Sequence, residues 1–360
     1  MPVSVRHGAR VRPRELRVLP TVSVVIPVYN YGHFLGACME SILAQDGIDL
    51  DVVVVDDAST DNSPDLARRF EADDKRVRGI YHATNKGHIA TFNEGIAATH
   101  GDYVVLISAD DMLTPGTLRR SAALLEACPQ VTLVYGHPVT FSTDPPPART
   151  TLRDWTVWPG LEWIRLRCRR GLNPIRHPEA VMRASALRKA GPYVPELPHA
   201  GDMAMWMRIA TFGDVGRVNG PDQAFYRDHA QNMRKIQYGG VATDVAERLR
   251  AFDYALTPSD GLPRQVAGEL RDIAHRKIAR EALGHAIDAR YRGGTAEQTN
   301  EFVALARQAY PAAEELAEWR ALRRALATPT PERSPELRLR AAVQELEWRI
   351  RLRRWRRYGI

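Results

Sequence analysis

TVSVVIPVYN (Thr21 to Asn30), DVVVVDDAST (Asp51 to Thr60) and DYVVLISADD (Asp102 to Asp111) decide the fold. Each is a short run of β-branched and aliphatic residues, the composition of a strand buried on both faces. Each then gives way to polar or acidic residues that belong at a strand tip. Between these runs the pattern turns helical: Gly32 to Gln45 spaces Phe34, Leu35, Met39, Ile42 and Leu43 at helical intervals, and Asp61 to Ala72 and Ile89 to Thr99 read the same way. Val77 to His82 is a further short strand. Alternating strand and helix predicts an α/β fold with an open, mostly parallel sheet flanked by helices. Ligands of such sheets collect beyond the carboxyl ends of the strands. Tyr29, Asp56, Asp57, Asp110 and Asp111 all fall there.

Outward from this centre, Thr117 to Ala127 reads as a helix, Val131 to Gly136 as a strand and STDPPPART as a loop. Residues 150 to 200 hold Trp155, Trp158 and Trp163, a basic run from Arg165 to Arg170 and several prolines, and read as irregular surface. A helix is expected from Asp202 to Thr211 and a short strand from Phe225 to His229. Past residue 240 the composition shifts to helix-forming Ala, Leu, Arg and Glu, broken near Pro258 to Pro263 and at Gly293 and Gly294. TPTPERSP (Thr328 to Pro335) isolates a last helix. The predicted division is a flexible basic leader (1–20), a catalytic domain (21–240, with a nucleotide-binding half to 115 and an acceptor-binding half after it), a helical extension (241–327), and a linker with a basic amphipathic helix (328–360).

With 360 residues, 44% of them hydrophobic, the chain can fill a large core. The net charge of +7 suits an anionic partner, but much of the excess sits near the C-terminus. No recognisable nucleic-acid-binding signature accompanies it, so nucleic acid is not expected as a partner. Cys38, Cys128 and Cys168 are widely spaced, which suggests neither a disulfide framework nor a zinc ribbon and fits a reducing cytoplasm. Residues 1–20 lack the apolar stretch of a secretory signal, and no run reaches the roughly 18 apolar residues of a membrane span. In the last helix Leu337, Val343, Leu346, Ile350 and Trp355 offer an apolar face among many arginines. That face can pack on the catalytic domain or a second copy, the favoured reading, or lie on anionic lipid at the inner face of the membrane.

Two acidic strand tips repel one another in a partly buried site unless a cation or a donor lies between them. One physical reading is a divalent metal, Mg²⁺ or Mn²⁺, holding a diphosphate and neutralising charge on a departing nucleoside diphosphate. The other is that each pair caps the turn or helix after it.

SVVIPVYN, VVVVDDASTD and NKGHIATFNEGIAATHGDYVVLISADD together resemble the opening of the inverting family 2 glycosyltransferases, which have the glycosyltransferase-A fold, a Rossmann-like α/β architecture. The likeness runs from about Val22 to Met233. It implies that Tyr29 borders the nucleobase, that Pro27 shapes the turn before it, that Asp57 bonds the base edge and Asp56 supports the loop, and that Asn85, Lys86 and Gly87 approach the nucleotide. The family's Asp-x-Asp metal motif maps onto Ser108, Ala109 and Asp110, with Asp111 behind. Ser108 stands in place of the first Asp, which puts the tightness of metal binding in doubt. AGDMAMWMRIA resembles the stretch carrying the general base, which makes Asp202 that base although Gly201 replaces the usual Glu. Trp206 then walls the acceptor or sugar pocket and Arg208 pairs with an acid or the phosphates. FYRDHAQNM resembles the Tyr-Arg-x-His stretch, which makes His229 a metal or diphosphate ligand and Arg227 a balance for phosphate charge. Asn173 to Tyr193 corresponds to the segment lining the cleft, with His177 and Glu179 as contacts.

The reading that follows is transfer of a sugar from a nucleotide diphosphate, a uridine diphosphate sugar in preference to thymidine diphosphate, onto a discrete acceptor. That acceptor is a natural-product scaffold, free or carrier-bound, or a cell-surface glycan. Two other classes stay open. Sugar-phosphate nucleotidyl transfer also uses acids and metal, but no glycine-rich phosphate loop lies near the N-terminus. A catalytically idle nucleotide-sugar binding module is kept open by Ser108 and Gly201.

Overall fold

The computed structural model describes residues 8–232 and 239–328, with single positions between 339 and 355. The chain divides into two compact units. The first comprises Met1–Trp163 and Ile175–Asn232; the second takes Ile164–Pro174 and the described residues from 239 onward.

In chain order the strands are β1 (Ala9–Val11), β2 (Thr21–Val28), β3 (Asp49–Asp56), β4 (Val77–Tyr81), β5 (Tyr103–Leu106), β6 (Met112–Leu113), β7 (Val131–Tyr135), β8 (Pro138–Phe141), β9 (Asp154–Trp158), β10 (Val181–Arg183), β11 (Asp214–Asn219) and β12 (Ala224–Arg227). The helices among them are α1 (Gly32–Leu43), α2 (Ser63–Asp73), α3 (His88–Ala97), α4 (Thr117–Ala127), α5 (Gly160–Arg170), α6 (Ala184–Ala190) and α7 (Gly201–Ala210). The main sheet has the order β1-β9-β11-β7-β10-β5-β2-β3-β4. Its β5-β2-β3-β4 half is wholly parallel, whereas β10 runs antiparallel to both β5 and β7. A small second sheet joins β6, β12 and β8.

The parallel half follows from its valines. Val22, Val24, Val25, Val52, Val53, Val54 and Val55 have no exposed surface, and each fully buried side chain of this size contributes about 1.5 to 3 kcal/mol. Leu35, Met39 and Ile42 of α1 are buried with Val22, Val24, Val52 and Val54 in one cluster. On α3, Gly95 allows the helix to sit down on the strands, because a Cβ there would lie 2.4 Å from Val25 Cγ1. Polar groups inside the sheet are paired: Ser23 Oγ donates to Asp51 (2.6 Å) and accepts the Gly101 N–H (2.9 Å).

Three expectations change. The leader is not wholly flexible, since Ala9–Val11 pairs antiparallel with β9. The stretch from 150 to 200 is ordered, holding β9, α5, β10 and α6. Trp155, Trp158 and Trp163, which fall in the stretch read as irregular surface, are at most 1% exposed; Trp158 stacks on Tyr135 at 6.2 Å and 14°, so these rings are core.

The second unit contains α8 (Val241–Ala255), α9 (Arg264–Tyr291), α10 (Ala296–Ala309) and α11 (Ala317–Ala327). Within it Arg248 bonds Asp244 (2.8 Å) and Glu281 (2.7 Å), and its burial is offset by those two carboxylates. Of the last helix, Leu337 lies outside the described residues. Val343, Leu346 and Ile350 are helical and exposed.

Candidate active site

The tips of β2 and β3 are tied to each other. Asn30 and Ala58 both adopt positive φ (56° and 58°), which turns the chain sharply after each strand. Asn30 Oδ1 accepts the Thr60 N–H (2.8 Å), the Asn30 N–H donates to Ser59 Oγ (3.0 Å), and the Ser59 N–H donates to Asp56 (3.1 Å). Asp56 therefore holds the loop. Tyr29 stands out of it, 49% exposed, and Pro27 is half-buried within β2.

Asp57 is enclosed and accepts three bonds: from His82 Nδ1 (2.7 Å), the Lys86 N–H (2.7 Å) and the Gly87 N–H (2.9 Å). Burial pushes its carboxyl up, but the His82 bond and the two backbone donors outweigh this and hold it below the usual carboxylate range. Gly87 takes φ +84 to present its N–H. The Lys86 ammonium reaches Glu94 (2.9 Å), so its backbone and not its charge meets Asp57.

Beyond β5, the Asp111 N–H closes a turn onto the Ser108 carbonyl (3.0 Å). Asp110 Oδ2 faces His229 Nε2 at 2.9 Å and Asn232 Nδ2 at 3.3 Å. The Asn232 side-chain Oδ1 accepts the His229 backbone N–H (2.7 Å), which fixes the loop that carries the imidazole. Burial raises the Asp110 carboxyl against the lowering effect of His229. Asp111 is raised further, by burial and then by the Asp110 charge. It accepts the Arg227 N–H (2.9 Å) and sits behind Asp110. The Arg227 guanidinium lies over Phe34 (4.7 Å) and Phe141 (4.4 Å) and donates to the Asp110 carbonyl (3.0 Å), a supporting position. Tyr31 meets the His229 ring edge-on at 5.8 Å, and its hydroxyl is pushed up by burial and by the Asp110 and Asp111 charges.

The third part of the site surrounds a single helical turn, His177–Glu179. His177 Nε2 lies 3.3 Å from the Tyr193 hydroxyl, and its ring meets Phe92 and Trp206 edge-on, each at 5.7 Å. Asp202, in the first turn of α7, raises His177 against the lowering effect of burial and adds to the burial that raises Tyr193. Just before His177, Arg176 lies over the Tyr226 ring (4.8 Å), and its positive charge reaches Asp111. The turn thus joins the Asp110 side to the Asp202 side.

Three further expected contacts have their own surroundings. Glu179 is fully buried and accepts the Arg176 N–H (2.8 Å); its carboxyl is pushed up to about 8 by burial and serves the turn, not the cleft. Trp206 is fully buried and its ring backs His177. Arg208, near the other end of α7, donates to the Ala190 carbonyl (2.6 Å). Sequence reasoning did not single out His82, Tyr31, Tyr193, Arg176 or Asn232. The only available signal was position: His82 directly follows β4, and Asn232 follows His229 by three.

Residues 23–191 match the profile of the family described as Glycosyl transferase family 2. That stretch is similar to members of the family, and the first unit has the glycosyltransferase-A fold. The match includes Tyr29, Asp57, Asp110, Asp111 and His177 and stops short of Asp202 and His229. "Glycosyltransferase GlyG" of Streptococcus pneumoniae serotype 4 is 41% identical over 93 residues, 26% of this chain and 31% of the relative. "Putative glycosyltransferase EpsE" of Bacillus subtilis is 28% identical over 240 residues, 66% of this chain and 78% of the relative. The aligned stretch covers only 27% to 35% of the first four curated relatives. Among solved structures, S. aureus TarS 1-349 in complex with UDP-GlcNAc has a TM-score of 0.61 at 17% identity, over 82% of this chain and 83% of that one. The mannosyltransferase PcManGT from Pyrobaculum calidifontis, in complex with GDP-Man and Mn²⁺, has a TM-score of 0.54 at 20% identity, over 93% and 89%. Among the described residues no helix is long and apolar enough to cross a membrane.

Proposed function

We propose that the protein transfers a sugar, with inversion, from a uridine diphosphate sugar to a hydroxyl of a discrete acceptor. The observation that carries this is the Asp110–His229 pair at the carboxyl edge of the parallel strands, the edge after which Tyr29 and Asp57 also follow, together with Asp202 beside His177 and Tyr193.

A carboxylate offers about four lone-pair sites, and Asp57 uses three. One is left to accept an N–H from a base edge, which uracil and thymine provide. The exposed Tyr29 offers that base an aromatic face. Asp110 and His229 suit Mg²⁺ or Mn²⁺: one oxygen and one imidazole nitrogen 2.9 Å apart match adjacent ligands of an ion bound at about 2.1 Å. Among the described residues no third His, Cys, Asp or Glu joins them, so further ligands would come from the donor diphosphate and water. When bound, such an ion neutralises charge gathering on the leaving diphosphate.

Asp202 accepts the acceptor hydroxyl proton while that oxygen attacks the anomeric carbon; the bond to the diphosphate breaks on the opposite face, with its electron pair going to the diphosphate oxygen. The Met203 N–H donates to Asp202 Oδ1 (2.6 Å), which fixes the carboxylate at the mouth of α7. The acceptor is a natural-product scaffold, free or carrier-bound, or a cell-surface glycan. A cytoplasmic setting is consistent with three buried cysteines outside any disulfide.

The test is incubation with a panel of nucleotide sugars and Mn²⁺ or Mg²⁺. Slow release of nucleoside diphosphate supports the reading. Pyrophosphate release from a nucleoside triphosphate and a sugar phosphate would favour nucleotidyl transfer, and saturable binding without turnover when acceptors are supplied would favour an idle module.

A further inference from the structure

His82 is 9% exposed and has a carboxylate at each ring nitrogen, Asp57 at 2.7 Å on Nδ1 and Glu94 at 3.0 Å on Nε2. Glu94 also binds the Lys86 ammonium (2.9 Å), and the Lys86 N–H returns to Asp57 (2.7 Å). The four residues form a closed ring linking the end of β4, the loop after it and α3 to the tip of β3. His82 and Asp57 are the shielded members, their side chains 2% and 4% exposed, so breaking the bond between them strands buried polar groups.

The atoms of Asp57 are unevenly committed. Oδ1 accepts from both His82 and Lys86, while Oδ2 accepts only from Gly87. We infer that His82 is a positioning residue for nucleobase choice: by occupying Oδ1 it turns the Oδ2 lone pair toward the base. This rests on the proposed role of Asp57 at the base edge. An acceptor held there favours uracil, which offers N3–H, over cytosine, whose N3 is itself an acceptor. Without the His82 donor, the carboxylate is held only by the Lys86 and Gly87 N–H groups of one turn, and that preference weakens.

Two substitutions separate positioning from general packing. The amide nitrogen of Asn branches from Cγ as Nδ1 does, so His82→Asn keeps the bond to Asp57 and gives up Glu94. The amide nitrogen of Gln reaches as far as Nε2, so His82→Gln keeps Glu94 and gives up Asp57. Calorimetric titration of the full chain with UDP and with CDP, in Mn²⁺, reads the difference, with thermal unfolding of each variant run in parallel. The expected result is near-native UDP affinity for His82→Asn. For His82→Gln, UDP affinity falls at least about tenfold, as loss of a hydrogen bond to a charged group allows, and the UDP-over-CDP ratio shrinks. In turnover His82→Gln raises the donor KM and leaves kcat near native. Native UDP affinity in His82→Gln, or equal weakening in both variants, overturns the inference. If the unaltered protein prefers CDP or binds neither nucleotide, the role given to Asp57 falls first and the inference with it.

Discussion

Nε2 of His229 lies 2.9 Å from Oδ2 of Asp110, although 119 positions of sequence separate them. The pair brings the tip of β5 against the loop after β12, and Asn232 holds the loop in place through both its amide atoms. If this is where the cation and diphosphate meet, Asp110→Ala abolishes metal-dependent donor binding and His229→Ala weakens it by about 10 to 100-fold. Calorimetry in Mn²⁺ decides; unchanged affinity in Asp110→Ala refutes the assignment.

Asp202 lies in the first turn of α7 beside His177 and Tyr193, and its proposed role is that of base and not of donor ligand. Its removal should therefore spare donor binding while stopping the chemistry. Asp202→Asn is expected to bind UDP-sugar normally and to lose about 10² to 10⁴-fold in kcat, the usual reach of a positioned base. A variant that turns over at the native rate would remove Asp202 from the mechanism.

Glu179 predicts a pH dependence unrelated to catalysis. Its carboxyl is raised to about 8 in the folded protein against about 4.3 in an unfolded chain. The folded state holds the proton more tightly, so this stabilising contribution is complete below about pH 4.3 and is lost as pH rises toward 8. Glu179→Gln keeps an acceptor for the Arg176 N–H and has no proton to lose. Relative to the native chain it gains stability at pH 9, by about 1.4 kcal/mol or more, and gains less at pH 5. Urea unfolding at the two pH values measures the difference, and equal gaps would contradict the account.

Trp158 offers a control on the core. It is fully buried and stacked on Tyr135. Trp158→Ala should cost about 3 to 5 kcal/mol of stability. With acceptors in hand, Trp158→Phe should fold and keep the native acceptor preference; a changed preference would contradict a purely structural role for this ring.

The parallel half of the sheet was legible because a run such as Val52–Val55 has one economical place in a fold, and the acids after it must then lie at the strand ends. Ordered motifs added the family and the relevant stretches. What they could not give was which way a side chain faces. Trp206 and Glu179 occupy motif positions yet turn inward, one into the core of α7 and the other back onto its own turn. His82, Tyr31 and Tyr193 were invisible for a related reason: each matters through a partner brought near only by folding, 25 residues away for His82 and Asp57 and 200 for Tyr31 and Gln231. The short strands β9 and β10 lie in a region whose prolines and arginines suggest loop, and antiparallel neighbours settle their conformation instead.

The pairing of Ala9–Val11 with Trp155–Val157 makes a three-residue segment the outermost ribbon of a nine-stranded sheet. Its outward flank is short and carries an arginine, Arg10, clamped to Asp154 at 2.6 Å. A sheet margin of that kind gives a stray chain little to zip onto. Trimming the protein through residue 11 would uncover the longer, tryptophan-bearing β9, and the molecule would then tend to associate margin to margin in solution.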